Sequence, residues 1–207
     1  MTNADHWEKV YQTKPEDAVS WFQADPALSL ELVQKYAEPG DPIVDVGAGA
    51  SRLVDQLVSA ELGPITVLDL SEAALRVSQV RLGAAAEGVT WIATDVTEWD
   101  PQIAYQVWHD RAVFHFLTDT QDQEKYLSRM DAALQPGGVA IIATFALDGP
   151  EKCSGLPVQR YSGETLEHRI NAFAPDRFKR LGTQDVVHET PFETNQRFQV
   201  SVFRKLA

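Results

Sequence analysis

The sequence of 207 residues contains one cysteine, Cys153. An intramolecular disulfide is therefore excluded, as are zinc and iron–sulfur sites that need several cysteines. No apolar run approaches the roughly 18 residues that a membrane span requires, and the start of the chain lacks the basic and apolar regions of a signal peptide. We therefore expect a cytoplasmic protein with no metal site and no membrane partner.

Positive charge is also scarce. Lys and Arg total 18 against 30 Asp and Glu, which gives a net charge of −12. No run of five or more basic residues interrupts this balance, and such a chain repels a phosphate backbone. We therefore exclude nucleic acid as a partner and expect a small molecule, with a basic protein surface as the alternative. The sequence does not indicate an oligomeric state.

Short β-branched segments alternate with longer amphipathic ones along the chain. This alternation predicts parallel strands joined by crossover helices in a single domain over residues 1–207. The predicted strands are Ile43–Val46, Ile65–Leu68, Val89–Ala93, Tyr105–His109 and Val139–Phe145. The predicted helices are Arg52–Ser59, Glu72–Leu82 and Thr120–Leu134.

The two ends of the chain depart from this alternation. Residues 1–36 look helical, with aromatic residues at helical spacing that suit either core packing or a cap over a ligand. Residues 147–161 are rich in Gly and Pro and form either a substrate lid or a surface loop. The segments Gln184–Thr190 and Gln196–Phe203 alternate apolar and polar positions, which predicts an antiparallel hairpin with one strand entering the sheet reversed.

The segment from Pro42 to Ser51 is the most informative motif. It reads as a buried strand that runs into a tight glycine turn and then a helix, an arrangement that binds nucleotide-like ligands. A dinucleotide turn requires a small residue at position 52, where this chain has Arg52. Asp45, just before the turn, would repel a diphosphate and attract ammonium and sulfonium groups. These two residues favour S-adenosyl-L-methionine (SAM) over NAD.

Two further carboxylates follow the next strands. Asp69 ends the second strand, where its two oxygens suit the adjacent hydroxyls of a ribose. Asp95 and Val96 follow the third strand and suit the adenine ring, the first accepting from the amino group and the second donating a backbone N–H. The alternative for each acid is a helix cap or an exposed side chain.

With these residues the chain resembles the class I SAM-dependent methyltransferases over about residues 40–205. The Leu-x-Pro-Gly-Gly turn at residues 134–138 is the most specific part of the resemblance. One departure is Ser51, where many members have a third glycine. The resemblance implies an α/β fold: a Rossmann-like three-layer sandwich whose mostly parallel seven-stranded sheet ends in an antiparallel hairpin. The predicted cofactor site, for SAM and its product S-adenosyl-L-homocysteine (SAH), comprises Asp45, Gly47, Ala48, Gly49, Ser51, Arg52, Asp69, Leu70, Asp95 and Val96.

The segment after residue 105 should point at the sulfonium. His109, Asp110 and His115 are the candidate catalytic groups, with His115 expected to face the acceptor. The alternatives are a buried structural histidine for His115 and an ion pair between Asp110 and Arg111.

Substrate-binding candidates come from three segments of the chain. Arg160 and Tyr161 would suit an anionic or planar acceptor, although a surface salt bridge is the alternative for the arginine. The predicted set is His6, Trp7, Tyr11, Arg111, Arg160 and Tyr161. We expect methyl transfer from SAM to a small molecule by in-line displacement. The alternatives are a protein lysine N-methyltransferase, a SAM-binding regulator and an NAD-dependent reductase.

Overall fold

A computed structural model describes residues 3–207. The helices are α1 (Asn3–Thr13), α2 (Ala27–Tyr36), α3 (Leu53–Ser59), α4 (Glu72–Leu82), α5 (Thr120–Ala133) and α6 (Gly163–Phe173). Short 3-10 helices cover Glu16–Ala18, Gly83–Gly88 and Phe114–Phe116. The strands are β1 (Ile43–Val46), β2 (Ile65–Asp69), β3 (Val89–Ala93), β4 (Tyr105–Arg111), β5 (Leu134–Phe145), β6 (Lys152–Cys153), β7 (Leu156–Pro157), β8 (Phe178–Glu189) and β9 (Asn195–Lys205).

Seven of these strands form one sheet in the order β3-β2-β1-β4-β5-β9-β8. The first five strands in this order pair in parallel, whereas β9 runs antiparallel to both of its neighbours. The register of β8 on β9 shifts at a bulge between Arg180 and Gly182. The predicted fold class, a mostly parallel seven-stranded sheet with a C-terminal antiparallel pair, is confirmed.

The structure differs from the sequence prediction at several element boundaries and in one helix. Strand β4 continues past His109 to Arg111, so Asp110 lies within the sheet. Strand β5 begins at Leu134, because the chain pairs with Tyr105 before the glycine turn and resumes pairing at Val139. Helix α6 was not predicted, although Ser162 and Thr165 form a capping box at its start.

Apolar side chains fill both faces of the sheet. One cluster joins α2 and α3 to alternate strand positions such as Ile43 and Val107. The other joins α5 and α6 to the intervening positions, such as Val44 and Trp108. Since successive side chains of a strand point to opposite faces, each polar residue in β1 and β4 is assigned to one face by its position.

This alternation decides which acids and bases can meet. Asp45 lies beside His109 in the register of β1 on β4. Both residues, and Arg111 two positions further on, share the face that carries α2. Asp110 points to the opposite face, where α5 packs. None of the helices within residues 3–207 is long and apolar enough to cross a membrane.

Candidate cofactor and acceptor site

A cavity of about 280 Å³ opens at the carboxyl ends of the central parallel strands. Ligands of open α/β sheets bind at this edge, where the connections leave in opposite directions. Most of the predicted cofactor residues line this cavity: Asp45, Gly47, Ala48, Ser51, Asp69, Leu70, Asp95 and Val96.

The glycine turn depends on two residues without side chains. Gly47 and Gly49 have φ angles of 59° and 57°, in the left-handed region that favours glycine. A Cβ on Gly47 would overlap the side chain of Val113, and one on Gly49 would overlap the hydroxyl of Tyr11. The turn is therefore packed by the segment that follows β4 and by α1.

Asp69 holds this turn in place from the end of β2. Its Oδ2 accepts the N–H of Gly49 at 2.7 Å, and its Oδ1 accepts the N–H of Ser71 at 2.8 Å. Burial raises the pKa of the Asp69 carboxyl to about 6, against the lowering effect of these bonds. Each oxygen of a carboxylate has a second lone pair, so the group still has capacity to accept from a ribose.

Asp45 and His109 form a buried pair beneath the turn. His109 Nδ1 lies 2.7 Å from Asp45 Oδ1, and both side chains are almost fully buried. Within residues 3–207 no hydrogen-bond partner reaches Oδ2 of Asp45. A buried acceptor without a partner costs free energy, so this atom suits a positively charged or N–H-bearing ligand group.

Arg111 brings an opposite charge to the same cavity. Its Nη1 donates to the backbone oxygen of Trp21 at 3.0 Å, and its guanidinium lies 5.2 Å from the ring centroid of Phe198. Nη2 is buried and has no partner in the described part of the chain. Burial lowers the pKa of Arg111 to about 10, so the side chain remains protonated at neutral pH.

Four aromatic side chains cover the cavity; we call Trp7, Tyr11, Trp21 and Phe22 the aromatic roof. Trp7 packs edge-to-face on Trp21 at a centroid distance of 5.4 Å, and Trp21 Nε1 donates to the Tyr11 hydroxyl at 3.1 Å. Burial raises the pKa of Tyr11, so its phenol stays neutral. The sequence allowed either core packing or a cap over a ligand for Trp7 and Tyr11. The structure places both residues in the lining of the cavity.

Acidic side chains attach this roof to the body of the protein. Glu8 accepts from the hydroxyl of Ser71 at 2.7 Å and from the N–H of Ala73 at 3.1 Å, at the start of α4. Glu16 pairs with Arg52 at 2.5 Å and with Arg81 at 2.6 Å. Arg52, predicted as a cofactor residue, thus holds the roof and does not line the cavity.

The segment 147–161 closes one side of the cavity through its hairpin of β6 and β7. Cys153, Leu156 and Pro157 line the cavity, and His6 Nε2 lies 3.1 Å from the hydroxyl of Ser154. His6 therefore joins α1 to the hairpin and does not itself line the cavity.

Four predicted residues lie away from the cavity. Asp110 is buried on the opposite face, where it accepts from the N–H groups of Val113 and Phe114 and from the hydroxyl of Tyr126. It forms no ion pair with Arg111. The predicted catalytic role of Asp110 is not supported by this position, because its carboxylate supports the turn after β4.

His115, Arg160 and Tyr161 have structural surroundings as well. Phe145 N–H donates to His115 Nδ1 at 3.3 Å, and burial lowers the pKa of His115 to about 3, so the imidazole is neutral. Arg160 forms the alternative salt bridge, with Glu151 at 3.2 Å. Tyr161 packs on Phe114 in the core. None of these three lines the cavity.

Sequence reasoning missed three residues of the site. Trp21 stood out only as an aromatic residue, and Phe116 was not considered, yet both line the cavity. Ser29 was also missed: its hydroxyl lies 2.9 Å from His109 Nε2. For Phe116 the available signal was its position, since residues 112–117 follow the fourth strand of a sheet whose ligands bind at strand ends.

The family model described as "Methyltransferase domain" matches residues 43–138. This range runs from β1 through the glycine turn to the turn within β5. Over these residues the chain matches the methyltransferase family, and its mostly parallel seven-stranded sheet has the Rossmann-like fold of methyltransferases of known structure. Two of those structures contain SAH, the product of SAM.

Two curated relatives align with nearly all of the chain. An eEF1A lysine and N-terminal methyltransferase from Bos taurus is 27% identical over 97% of the chain, and its counterpart from Danio rerio is 24% identical over 93%. The alignments cover only 28% and 27% of those proteins. The chain therefore spans about a quarter of the length of these relatives.

Solved structures agree on the fold. N-methyltransferase NodS from Bradyrhizobium japonicum, with SAH, superposes with a TM-score of 0.71 at 13% identity, covering 97% of this chain and 99% of that one. A 1,6-didemethyltoxoflavin-N1-methyltransferase from Burkholderia thailandensis gives 0.70 at 21% identity, covering 87% and 78%.

The unpartnered atoms of the cavity fit SAM. Its amino-acid tail carries an ammonium and a carboxylate, and the cavity offers one unpartnered acceptor at Asp45 Oδ2 and one unpartnered donor at Arg111 Nη2. Asp69 would hold the ribose. Asp95 is exposed and bonded to Thr97, so its predicted contact with adenine stays a prediction.

Proposed function

We propose that this chain transfers the methyl group of SAM to a small-molecule acceptor. The observation that carries the proposal is the aromatic roof, which encloses the cavity above the glycine turn. An enclosed, largely apolar space with a few polar groups is typical of small-molecule sites. Glu8 and Glu16 hold this roof against the body of the protein.

Bound SAM supplies an electrophilic methyl group on a positively charged sulfur. The chain has to align the acceptor and exclude water, because no covalent enzyme intermediate is required. Trp7, Trp21 and Phe116 surround the space with apolar surface. His109, oriented by Asp45, is the group placed to accept a proton from an alcohol, phenol or amine.

The proposal is tested with labelled SAM. The full chain is incubated with labelled SAM and a cell extract separated into low-mass and protein fractions. We expect label in the low-mass fraction, and His109→Gln should reduce the rate about 100-fold. Label confined to protein would contradict a small-molecule acceptor.

A second candidate is a protein lysine N-methyltransferase. It is favoured by curated relatives whose names specify eEF1A lysine and N-terminal methylation and whose alignments cover 93% to 97% of this chain. The net charge of −12 also suits a basic protein surface. In the same experiment this candidate requires label on a protein band, with methylated lysine after hydrolysis. Label in neither fraction, despite SAM binding, would favour a regulator without turnover.

A further inference from the structure

A second cavity of about 240 Å³ lies on the face of the sheet that carries α2. Its lining is mostly apolar and comes from α2, β5, β8 and β9, through Leu28, Leu32, Ile141, Val186, Phe198 and Val200. Its polar lining residues are Gln23, Asp25, Ser29, His109, Arg111 and His188.

The two cavities share three lining residues. Gln23, His109 and Arg111 line both spaces. A molecule in the second cavity therefore touches the same two β4 side chains as a ligand in the first. The second cavity is separate from the glycine turn, Asp69 and Asp95, which line only the first.

A chain of three side chains runs through the shared wall. Ser29 Oγ lies 2.9 Å from His109 Nε2, and His109 Nδ1 lies 2.7 Å from Asp45 Oδ1. A carboxylate oxygen accepts, so Nδ1 carries the hydrogen and Nε2 of the neutral ring accepts the hydroxyl hydrogen of Ser29. This is the arrangement in which an aspartate orients a histidine as the base for a hydroxyl group.

We propose that the second cavity binds the methyl acceptor, a small, mostly apolar molecule with a hydroxyl group, and that Ser29 is a positioning residue that relays its proton to His109. This inference rests on the proposed function. The acceptor hydroxyl donates to Ser29 Oγ while the Ser29 proton moves to His109 Nε2. The acceptor oxygen forms the bond to the methyl carbon, and the carbon–sulfur bond breaks with its electron pair left on sulfur. The imidazolium is stabilised by Asp45 and then loses its proton to water.

The first test is binding to the full chain saturated with SAH. The probes are 4-ethylphenol and 4-ethylanisole. The anisole has a methyl group in place of the hydroxyl hydrogen of the phenol, so it cannot donate a hydrogen bond. Calorimetry should give a phenol affinity about fivefold higher than that of the anisole. Ser29→Ala should abolish this difference and Ser29→Thr should restore it. Ser59→Ala, an exposed serine at the end of α3, is the matched control and should keep it.

A second pair of variants locates the probe. Val186→Phe adds a ring inside the second cavity, and Val187→Phe adds the same ring on the exposed face of β8. The first should weaken binding of both probes by about tenfold or more, and the second should leave it unchanged. SAH affinity should stay the same in both variants.

The relay has its own spectroscopic readout. The chain has five histidines, so ¹⁵N-histidine labelling gives few signals, and His109→Gln assigns the relevant one. The His109 nitrogen resonances should shift when 4-ethylphenol is added and should not shift with 4-ethylanisole. In Ser29→Ala the phenol should cause no shift, a result that a purely structural serine would not produce.

The outcomes separate the two proposals. Failure to bind SAM or SAH would overturn the proposed function itself. The acceptor cavity is overturned if SAH binds but neither probe does, or if Val186→Phe leaves probe binding unchanged. Equal affinity for phenol and anisole in the wild-type chain, or a phenol preference that survives Ser29→Ala, would overturn the role of Ser29.

Discussion

At the scale of single residues, Asp69 links the glycine turn to the predicted ribose site. Its carboxylate already accepts the N–H groups of Gly49 and Ser71, so its replacement affects both the turn and the ribose contact. We expect Asp69→Ala to weaken SAH binding by about 1.5 to 3 kcal/mol, because a charged acceptor is lost. Calorimetric titration measures this, with the exposed Glu87→Ala as control. An unchanged affinity would contradict the ribose role.

Arg111 makes a different prediction, because its free Nη2 matches a carboxylate. Arg111→Gln should weaken SAH binding by about tenfold or more, since a charge-assisted hydrogen bond is lost. The same variant should bind 5′-methylthioadenosine, which lacks the amino-acid tail, with nearly the wild-type affinity. Calorimetry measures both affinities, and a loss for SAH alone would show that Arg111 binds the amino-acid tail. Equal loss for both ligands would show that the arginine supports the fold instead.

Some of the site residues predicted from the sequence line the cavity, and others do not. Asp45 and Asp69 follow from a strand, a turn and the chemistry of their partners, which are local features. His115 and Tyr161 were chosen by position after a strand and at a loop end, and burial among aromatic side chains removed both from the cavity. Ser29 could not be found in this way, because its contact with His109 joins positions 80 residues apart.

At the scale of elements, the carboxylate of Glu8 anchors α1 to the start of α4. Glu8 accepts two hydrogen bonds at the start of α4, where the helix dipole favours negative charge, and the bond from Ser71 lowers the pKa of Glu8. Glu8→Gln should weaken the docking of α1 by about 1 kcal/mol. Hydrogen exchange of the α1 amides should then accelerate. Glu31→Gln, on the exposed side of α2, is the control, and unchanged exchange in α1 would refute the anchoring role.

The positions of some helices and strands could be predicted from the sequence, and those of others could not. Parallel strands such as β1 and β2 are buried along their whole length and mostly apolar, so their positions were predicted almost to the residue. Helix α6 was missed because the preceding Gly- and Pro-rich segment indicated an extended loop. The exact start of β5 depends on how Leu134 pairs with Tyr105, a long-range contact that local pattern does not contain.

At the scale of the whole molecule, buried carboxyls make stability depend on pH. Burial raises the pKa of Asp110 from 3.8 to about 6, so between these values the folded chain keeps a proton that the unfolded chain releases. Its contribution to stability is present below pH 3.8 and is lost as pH rises through 6.

Asp110→Asn removes this titration. The wild-type advantage in the free energy of unfolding over the variant should shrink by about 2 kcal/mol between pH 4 and pH 7. Urea unfolding at several pH values measures the difference. Ser128→Ala, at an exposed position of α5 without a titrating group, should give a curve parallel to the wild type. Parallel curves for Asp110→Asn as well would contradict the raised pKa.

The bulge between Arg180 and Gly182 has a consequence for behaviour at high concentration. It lies in β8, the outer strand of the sheet, whose free edge exposes backbone groups that another chain can pair with. A bulge increases local twist, and the exposed Lys179 and Asp185 place charge along the same strand. Edge-to-edge growth into aggregates is thereby disfavoured, although this strand has 12 residues.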